Sequence, residues 1–237
     1  MKYLLIFVTL LTISFYSCNQ VTERMPDYSV HGVDVSHYQD QINWFEVAAE
    51  GIDFGFVKAT EGETISDTHF DQNWDEMKNA GIIRGAYHFF RPNTSAISQA
   101  RHFIEKVDLQ YGDLPPVLDV EVMDDVNKDI LVARLNIWLE MVEEAFGVRP
   151  IIYSNMKFYN QYLAGHFSDH TLWIARYNNK KTPDLFENKN WDFWQYGNRG
   201  NIAGIKGPVD LNVFQGTLSD LLSITISPFS SPSTAGR

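Results

Sequence analysis

The chain has 237 residues, with 30 acidic against 19 basic side chains and a formal net charge of −11. No block of Lys or Arg interrupts that balance, so the basic footprint that nucleic-acid binding needs is missing and nucleic-acid partners are excluded. Cys18 is the single cysteine, which excludes an internal disulfide framework.

The chain opens on MKYLLIFVTLLTISFYSC, residues 1–18, with Lys2 ahead of an apolar core from Tyr3 to Ile13 and small Ser17 before Cys18. This is the layout of a bacterial secretory signal. It falls short of the roughly 20 apolar residues of a spanning helix. The place of Cys18 predicts a lipoprotein signal, cut before the cysteine and acylated on its thiol. Simple secretion, with Cys18 lost or free, is the plainer alternative. Either way the protein is expected outside the cytoplasm, secreted or on the cell envelope, periplasmic or outer-surface, and touching a membrane only through a lipid at Cys18. Residues 19–30 read as a polar tether and residues 223–237, rich in Ser and Pro, as a disordered tail. Residues 31–222 are long enough for one domain with a sizeable core. A monomer is expected.

Inside that domain short apolar runs alternate with longer amphipathic ones. Strands are predicted at 31–36, 53–59, 82–89, 115–121, 150–154, 172–176, 192–196 and 209–214. Helices are predicted at 43–50, 68–80, 95–107 and 126–146, with a shorter one at 156–164. Asn43 can cap the first helix, and Gly81 and Gly147 follow the ends of two others. Strand–helix alternation implies parallel βαβ units. The expected fold is therefore α/β, an irregular TIM-like (β/α) barrel of about eight strands and about five helices. An open doubly wound sheet is the rival, but "DVSHYQDQ" after the first strand is no Gly-rich phosphate turn.

Three of these strands carry acids where a buried strand should be apolar. In LDVEV, Asp119 and Glu121 share one face, with Leu118, Val120 and Val122 on the other. Alone, that alternation fits a half-exposed strand with its acids in water equally well. Yet GVDVS places Asp34 with Ser36, and VDLNV places Asp210 with Asn212, each against valines or leucine. In a parallel barrel these acids would meet at the C-terminal mouth, where active sites form. The first and last strands are neighbours in a closed barrel, which puts Asp34 beside Asp210. Crowding four carboxyls in a low-dielectric cup raises at least one pKa and leaves a neutral acid beside ionised partners. That is the equipment of glycoside hydrolysis. Metal binding is the weaker reading, because His88 is the one imidazole at these strand ends and neither an H-E-x-x-H nor an EF-hand spacing occurs. No metal and no cofactor is implied.

Aromatic and polar side chains near the strand ends suit a sugar. Tyr87, Tyr153, Trp194 and Gln195 are candidates for lining a glycan groove. His88 alternates with Tyr87 and serves equally as a packed residue, and Glu61 could reach the rim or lie in solvent.

Taken in order, "GVDVSHYQ", "FVKATEG", "GAYHFFRP", "LDVE", "IIYS" and "WQY…VDLNVFQG" resemble the glycoside hydrolase family 25 muramidases, the Chalaropsis-type lysozymes, over about residues 31–216. The resemblance implies an irregular (β/α) barrel that cuts the β-1,4 bond between N-acetylmuramic acid and N-acetylglucosamine, with peptidoglycan strands as partner. It implies Glu121 as general acid and Asp119 as nucleophile or as the carboxylate that orients the substrate's acetamido group. Asp34 and Asp210 would tune charge and hold the sugar, with Tyr87, Tyr153 and Gln195 along the groove. The cell-wall-binding repeats frequent in the family are missing. Two alternatives stay open: a chitinase-like, substrate-assisted N-acetylglucosaminidase, and a non-catalytic glycan-binding module.

Overall fold

A computed structural model describes residues 21–177 and 181–227. The expected signal with Cys18, the start of the tether and residues 228–237 of the expected tail lie outside the described residues.

The strands are β1 (Val30–Val35), β2 (Phe54–Glu61), β3 (Ile65–Ser66), β4 (Ile83–Phe89), β5 (Val117–Asp119), β6 (Ile151–Asn155), β7 (Leu172–Ala175), β8 (Phe193–Gly200) and β9 (Val209–Phe214). The helices are α1 (Trp44–Ala49), α2 (Phe70–Asn79), α3 (Ala96–Lys106), α4 (Lys128–Phe146), α5 (Met156–Phe158), which runs on into a π-helical turn at Tyr159–Leu163, and α6 (Leu218–Ser223). Their ends follow local chemistry. Asn43, Ser95 and Asn127 each accept a backbone N–H of the helix they precede, and Gly147 ends α4 at φ 68°.

The sheet runs β1-β9-β8-β7-β6-β5-β4-β2, and pairing of β1 with β2 closes it into an eight-stranded barrel from which β3 hangs as a short antiparallel flap. The α/β barrel is as expected, with one correction. β9 runs antiparallel to both β8 and β1. A parallel return needs a crossover of a dozen or more residues. The link after Gly200 is shorter and turns through Gly204 and Gly207, both at positive φ. The chain must therefore double back. Asp210 stands at the start of β9 rather than near its end, but reversal puts it at the same mouth, in register opposite Asp34.

Strand alternation divides the apolar residues between two cores. Val33, Val35, Val57, Leu118, Val120, Ile152, Ile174, Leu211 and Val213 face outward into the layer between barrel and helices. The inward positions form a graded column, apolar below and polar above: Phe54-Phe56-Lys58 on β2, Val117-Asp119 on β5, Ile151-Tyr153-Asn155 on β6, and Phe214-Asn212-Asp210 on reversed β9. Phe56 stacks on Trp173 at 4.3 Å between ring centroids, and Phe193 meets Phe54 and Phe56 edge-on. These rings fill the barrel because two neighbours have no side chain. A Cβ on Gly32 would come within 2.4 Å of the Phe54 ring, and one on Gly85 within 2.6 Å of Phe56. The rings are the floor on which the polar mouth rests.

Both ends of the domain extend past the expected boundaries. From Thr22 onward the expected tether packs against the barrel: Thr22 N–H donates to the Arg199 carbonyl at 2.9 Å, and the Tyr28 ring lies 6.1 Å from Trp191 and Trp194. Its polar character reflects helix capping, since Arg24 donates to the Glu50 and Gly51 carbonyls at the end of α1. At the other end, Ile226 exchanges backbone hydrogen bonds with the loop at Gly112 and Asp113, beyond residue 222.

Candidate active site

The polar mouth encloses a cavity of about 250 Å³ whose lining includes Asp34, Asp119, Glu121 and Asp210. Asp119 is the last residue of β5, and Glu121 lies two residues on, on the same face. β1 delivers Asp34, and β9 delivers Asp210 beside it. All four expected acids therefore converge on one space.

Asp34 is held from two sides. Its Oδ2 accepts from Gln195 Nε2 at 2.8 Å and from Asn212 Nδ2 at 2.7 Å. Neither amide is free to turn over. Gln195 Oε1 is engaged by the hydroxyls of Tyr153 at 2.9 Å and Tyr177 at 3.0 Å. Asn212 Oδ1 accepts from Trp173 Nε1 at 2.8 Å, an N–H that can only donate. Both amide nitrogens are thus aimed at Asp34. The Trp173 indole of the floor and the phenols of Tyr153 and Tyr177 orient the amides, and the amides orient the carboxylate.

Burial pushes the Asp34 carboxyl up to about 6, against the pull of its Asn212, Gln195 and Asp210 hydrogen bonds. Asp210 rises further, to about 8, through burial and then the Asp34 charge. The two share a hydrogen bond, which favours the ionised form of Asp34 and the protonated form of Asp210. They titrate as a pair holding one proton near neutrality.

Asp119 is pushed well above the usual carboxylate range, first by burial and then by the Glu121 charge, while Lys58 pulls the other way. Its Oδ1 is buried without a hydrogen-bond partner. A buried carboxyl oxygen costs about 1–3 kcal/mol when left unpaired, and this one is placed to accept an N–H or O–H. Glu121 is raised by burial and by Asp34, and a hydrogen bond from Asn155 opposes this. The mouth can therefore present a neutral carboxylic acid beside an ionisable partner, the pairing needed to protonate a leaving oxygen and stabilise the cation it leaves.

Of the groove candidates, Tyr87, Tyr153 and Gln195 line the cavity. Trp194 and His88 do not, and alternation explains both. Trp194 precedes inward Gln195 and so points out, donating from Nε1 to the Arg176 carbonyl. His88 follows inward Tyr87. It is fully buried between Thr60 and Gln99, 5.6 Å from the Trp138 ring, and burial lowers its pKa to about 3. Glu61 is not in the lining either. It accepts from Lys58 at 2.6 Å, and Lys58 is the one cation among the cavity's lining residues. Among the described residues, no group of three or more His, Cys, Asp or Glu is arranged to hold a metal ion.

Contributors that went unnoticed in the sequence include Tyr38, Gln39, Phe89, Asn155 and Tyr177. Asn155 was within reach, because Tyr153 and Asn155 repeat the two-residue spacing that singled out the acids. Tyr177 holds the same parity with Trp173 but stands beyond the end of β7.

Comparison with known proteins comes to the same place. The family described as "Glycosyl hydrolases family 25" matches residues 33–205, a span that holds Asp34, Asp119 and Glu121 and stops short of Asp210. The protein YegX of Escherichia coli K12 is 44% identical over 218 residues, 88% of this chain and 79% of its own. Lysozyme M1 of Streptomyces globisporus is 34% identical over 210 residues, 82% of this chain and 71% of its own. The structure of a family 25 glycosyl hydrolase from Bacillus anthracis superposes with a TM-score of 0.83 at 32% identity, covering 89% of this chain and all of that one.

Proposed function

The chain belongs to family 25 of the glycosyl hydrolases, and from that premise we propose that it is a muramidase cutting the β-1,4 bond between N-acetylmuramic acid and N-acetylglucosamine in peptidoglycan strands. Glu121 is the general acid. It lies at the cavity with its pKa raised by burial and the Asp34 charge, the direction that favours the protonated form a general acid needs. Asp119 would act as its partner at the reacting carbon. Burial and the Glu121 charge favour its protonated form in the free protein, so this role requires it to ionise as the sugar binds; its open Oδ1 is then placed to accept the N–H of the substrate's own acetamido group, so that the acetamido oxygen attacks the anomeric carbon, and direct attack by Asp119 is the variant of the same chemistry. The Asp34–Asp210 pair supplies negative charge against the oxocarbenium-like centre and accepts sugar hydroxyls.

One observation carries the reading: four carboxyls, three on strands and one just past the end of β5, close on a single cavity, with the site's buried amides spent on orienting one of them. Glu121→Gln keeps the shape and removes the proton. Release of reducing ends from purified peptidoglycan should fall by at least about a hundredfold, with the thermal midpoint unchanged and muramic acid at the new reducing end of wild-type products. Wild-type activity in that variant would sink the assignment, and cleavage of chitin oligomers in preference to peptidoglycan would move the substrate.

A further inference from the structure

We propose that Tyr38, backed by His37, is a sugar-binding platform on the outer rim of the cleft, receiving a pyranose ring of the glycan strand away from the bond that is cut. The inference rests on the glycan-hydrolase reading above and extends it to a second point of contact.

Tyr38 is 81% exposed, the most exposed of the large hydrophobic side chains among the described residues, yet it lines the catalytic cavity. It rides on a 3₁₀ turn, His37–Gln39, directly after β1, and thus on the wall that carries Asp34. An exposed aromatic on a surface loop usually has freedom to move, but this turn is fastened at three points. Ser36 and Gln39 form a reciprocal capping box around it. Gln39 Nε2 reaches across to the Pro208 carbonyl, ahead of β9. His37 is pinned by Asp67, whose Oδ2 accepts both the His37 backbone N–H at 2.9 Å and ring Nδ1 at 2.8 Å.

The third fastening is the informative one. The Asp67 side chain is fully buried, and its other oxygen accepts the His69 backbone N–H at 3.0 Å. Burying a carboxylate costs several kcal/mol before its hydrogen bonds are counted. Here that cost goes into orienting an imidazole whose outer side meets Tyr38, with ring centroids 4.1 Å apart and planes tilted by 35°. The product is a Tyr38 ring backed and fixed by an imidazole, beside a cavity rimmed by carboxyls. Preorganisation of this kind removes the ordering cost from a binding step. What the turn offers to solvent is the Tyr38 ring, an uncharged aromatic face that suits the C–H side of a pyranose.

The test uses the full chain, as wild type, Tyr38→Ala, Tyr38→Trp and a control at another exposed tyrosine, Tyr111→Ala. Each is made with and without Glu121→Gln. Kinetics on purified peptidoglycan and sedimentation of the Glu121→Gln forms with intact peptidoglycan are both read. Tyr38→Ala should raise KM roughly tenfold, the equivalent of about 1.4 kcal/mol, with kcat falling by less than KM rises. Binding in the Glu121→Gln background should weaken by a similar factor, Trp should restore both, and the Tyr111 control should change neither. Unchanged KM and binding in Tyr38→Ala would overturn the platform while leaving the hydrolase reading intact. A loss confined to kcat would overturn it too, by making Tyr38 a support for the acids. If wild type releases no reducing ends but Tyr38→Ala still weakens binding, the hydrolase reading fails and the platform stands.

Discussion

At the scale of single residues, the site is organised by groups with one hydrogen-bonding option. An indole N–H can only donate and two phenols share one acceptor, so the amides of Asn212 and Gln195 have a fixed sense and Asp34 receives two N–H donors. Each of those donors favours the ionised form of Asp34, against the burial that raises its pKa to about 6. Asn212→Leu removes one donor and leaves Trp173 Nε1 without its acceptor. The unpaired indole should cost about 1–3 kcal/mol of stability. The Asp34 pKa should rise further, and if Asp34 works as an anion the acid limb of the kcat/KM profile moves to higher pH. Profiles measured on soluble peptidoglycan fragments check this; an acid limb that stays put or moves down would show that Asp34 does not set it.

At the scale of elements, the question is how a short strand holds Glu121, the proposed general acid, still. β5 ends at Asp119, so Glu121 already stands on the loop that leads to α4. That loop passes through Asp124 at φ 41° and Asp125 at φ 64°, left-handed conformations that cost non-glycine residues on the order of 1–3 kcal/mol. Arg91, just past β4, forms an ion pair with it, Nε 2.9 Å from Asp124 Oδ2 but out of line for a hydrogen bond, and sits over the Phe89 ring at 5.9 Å. This half-exposed pair adds little to global stability, but it ties the loop bearing Glu121 to the neighbouring strand. Arg91→Ala and Asp124→Ala should each lower kcat roughly tenfold with KM nearly unchanged, because small misplacements of a catalytic group are costly. The double variant should be no worse than either single one. Additive losses in that cycle would mean that the two residues act separately. None of this geometry was legible in the chain, where RPN and MDD read as ordinary loop. What was legible had a period. Three strands with an acid followed two residues later by a polar partner announced the mouth, because alternation is local and depends on no other part of the fold. The same rule could have excluded Trp194 and His88, each of which neighbours an inward residue. The direction of β9 required knowing that the link before it is too short to cross over, and Tyr38 required knowing that a buried Asp67, nearly thirty residues on, holds its turn.

At the scale of the whole molecule, the buried acids give folding a pH dependence opposite to that of proteins held by salt-bridged carboxylates. Asp34, Asp119, Glu121 and Asp210 all have pKa values raised in the folded state, Asp34 to about 6 and Asp210 to about 8. Between the unfolded carboxylate pKa of about 4 and those values, the folded protein binds more protons than the unfolded chain, so stability falls as pH rises. His88 works in the other direction, because its folded pKa of about 3 lies below the unfolded value and stability is lost as pH falls below roughly 6.5. His31 and His170, also lowered by burial, act in the same sense, and about one pH unit above 6.5 the histidine contribution is nearly flat. From pH 7.5 to 8.5, therefore, stability should decline, by up to about 1.4 kcal/mol per pH unit for each proton held in excess. The net charge of −11 adds self-repulsion of the same sign. Asp210→Asn removes the ionisation that the Asp34 charge opposes most directly, and should both raise stability at pH 8.5 and flatten the decline. Urea unfolding of wild type and Asp210→Asn at the two pH values measures it. Wild-type stability that rises over this interval, or a slope that Asp210→Asn leaves unchanged, would show that the mouth does not hold its protons as the buried geometry requires.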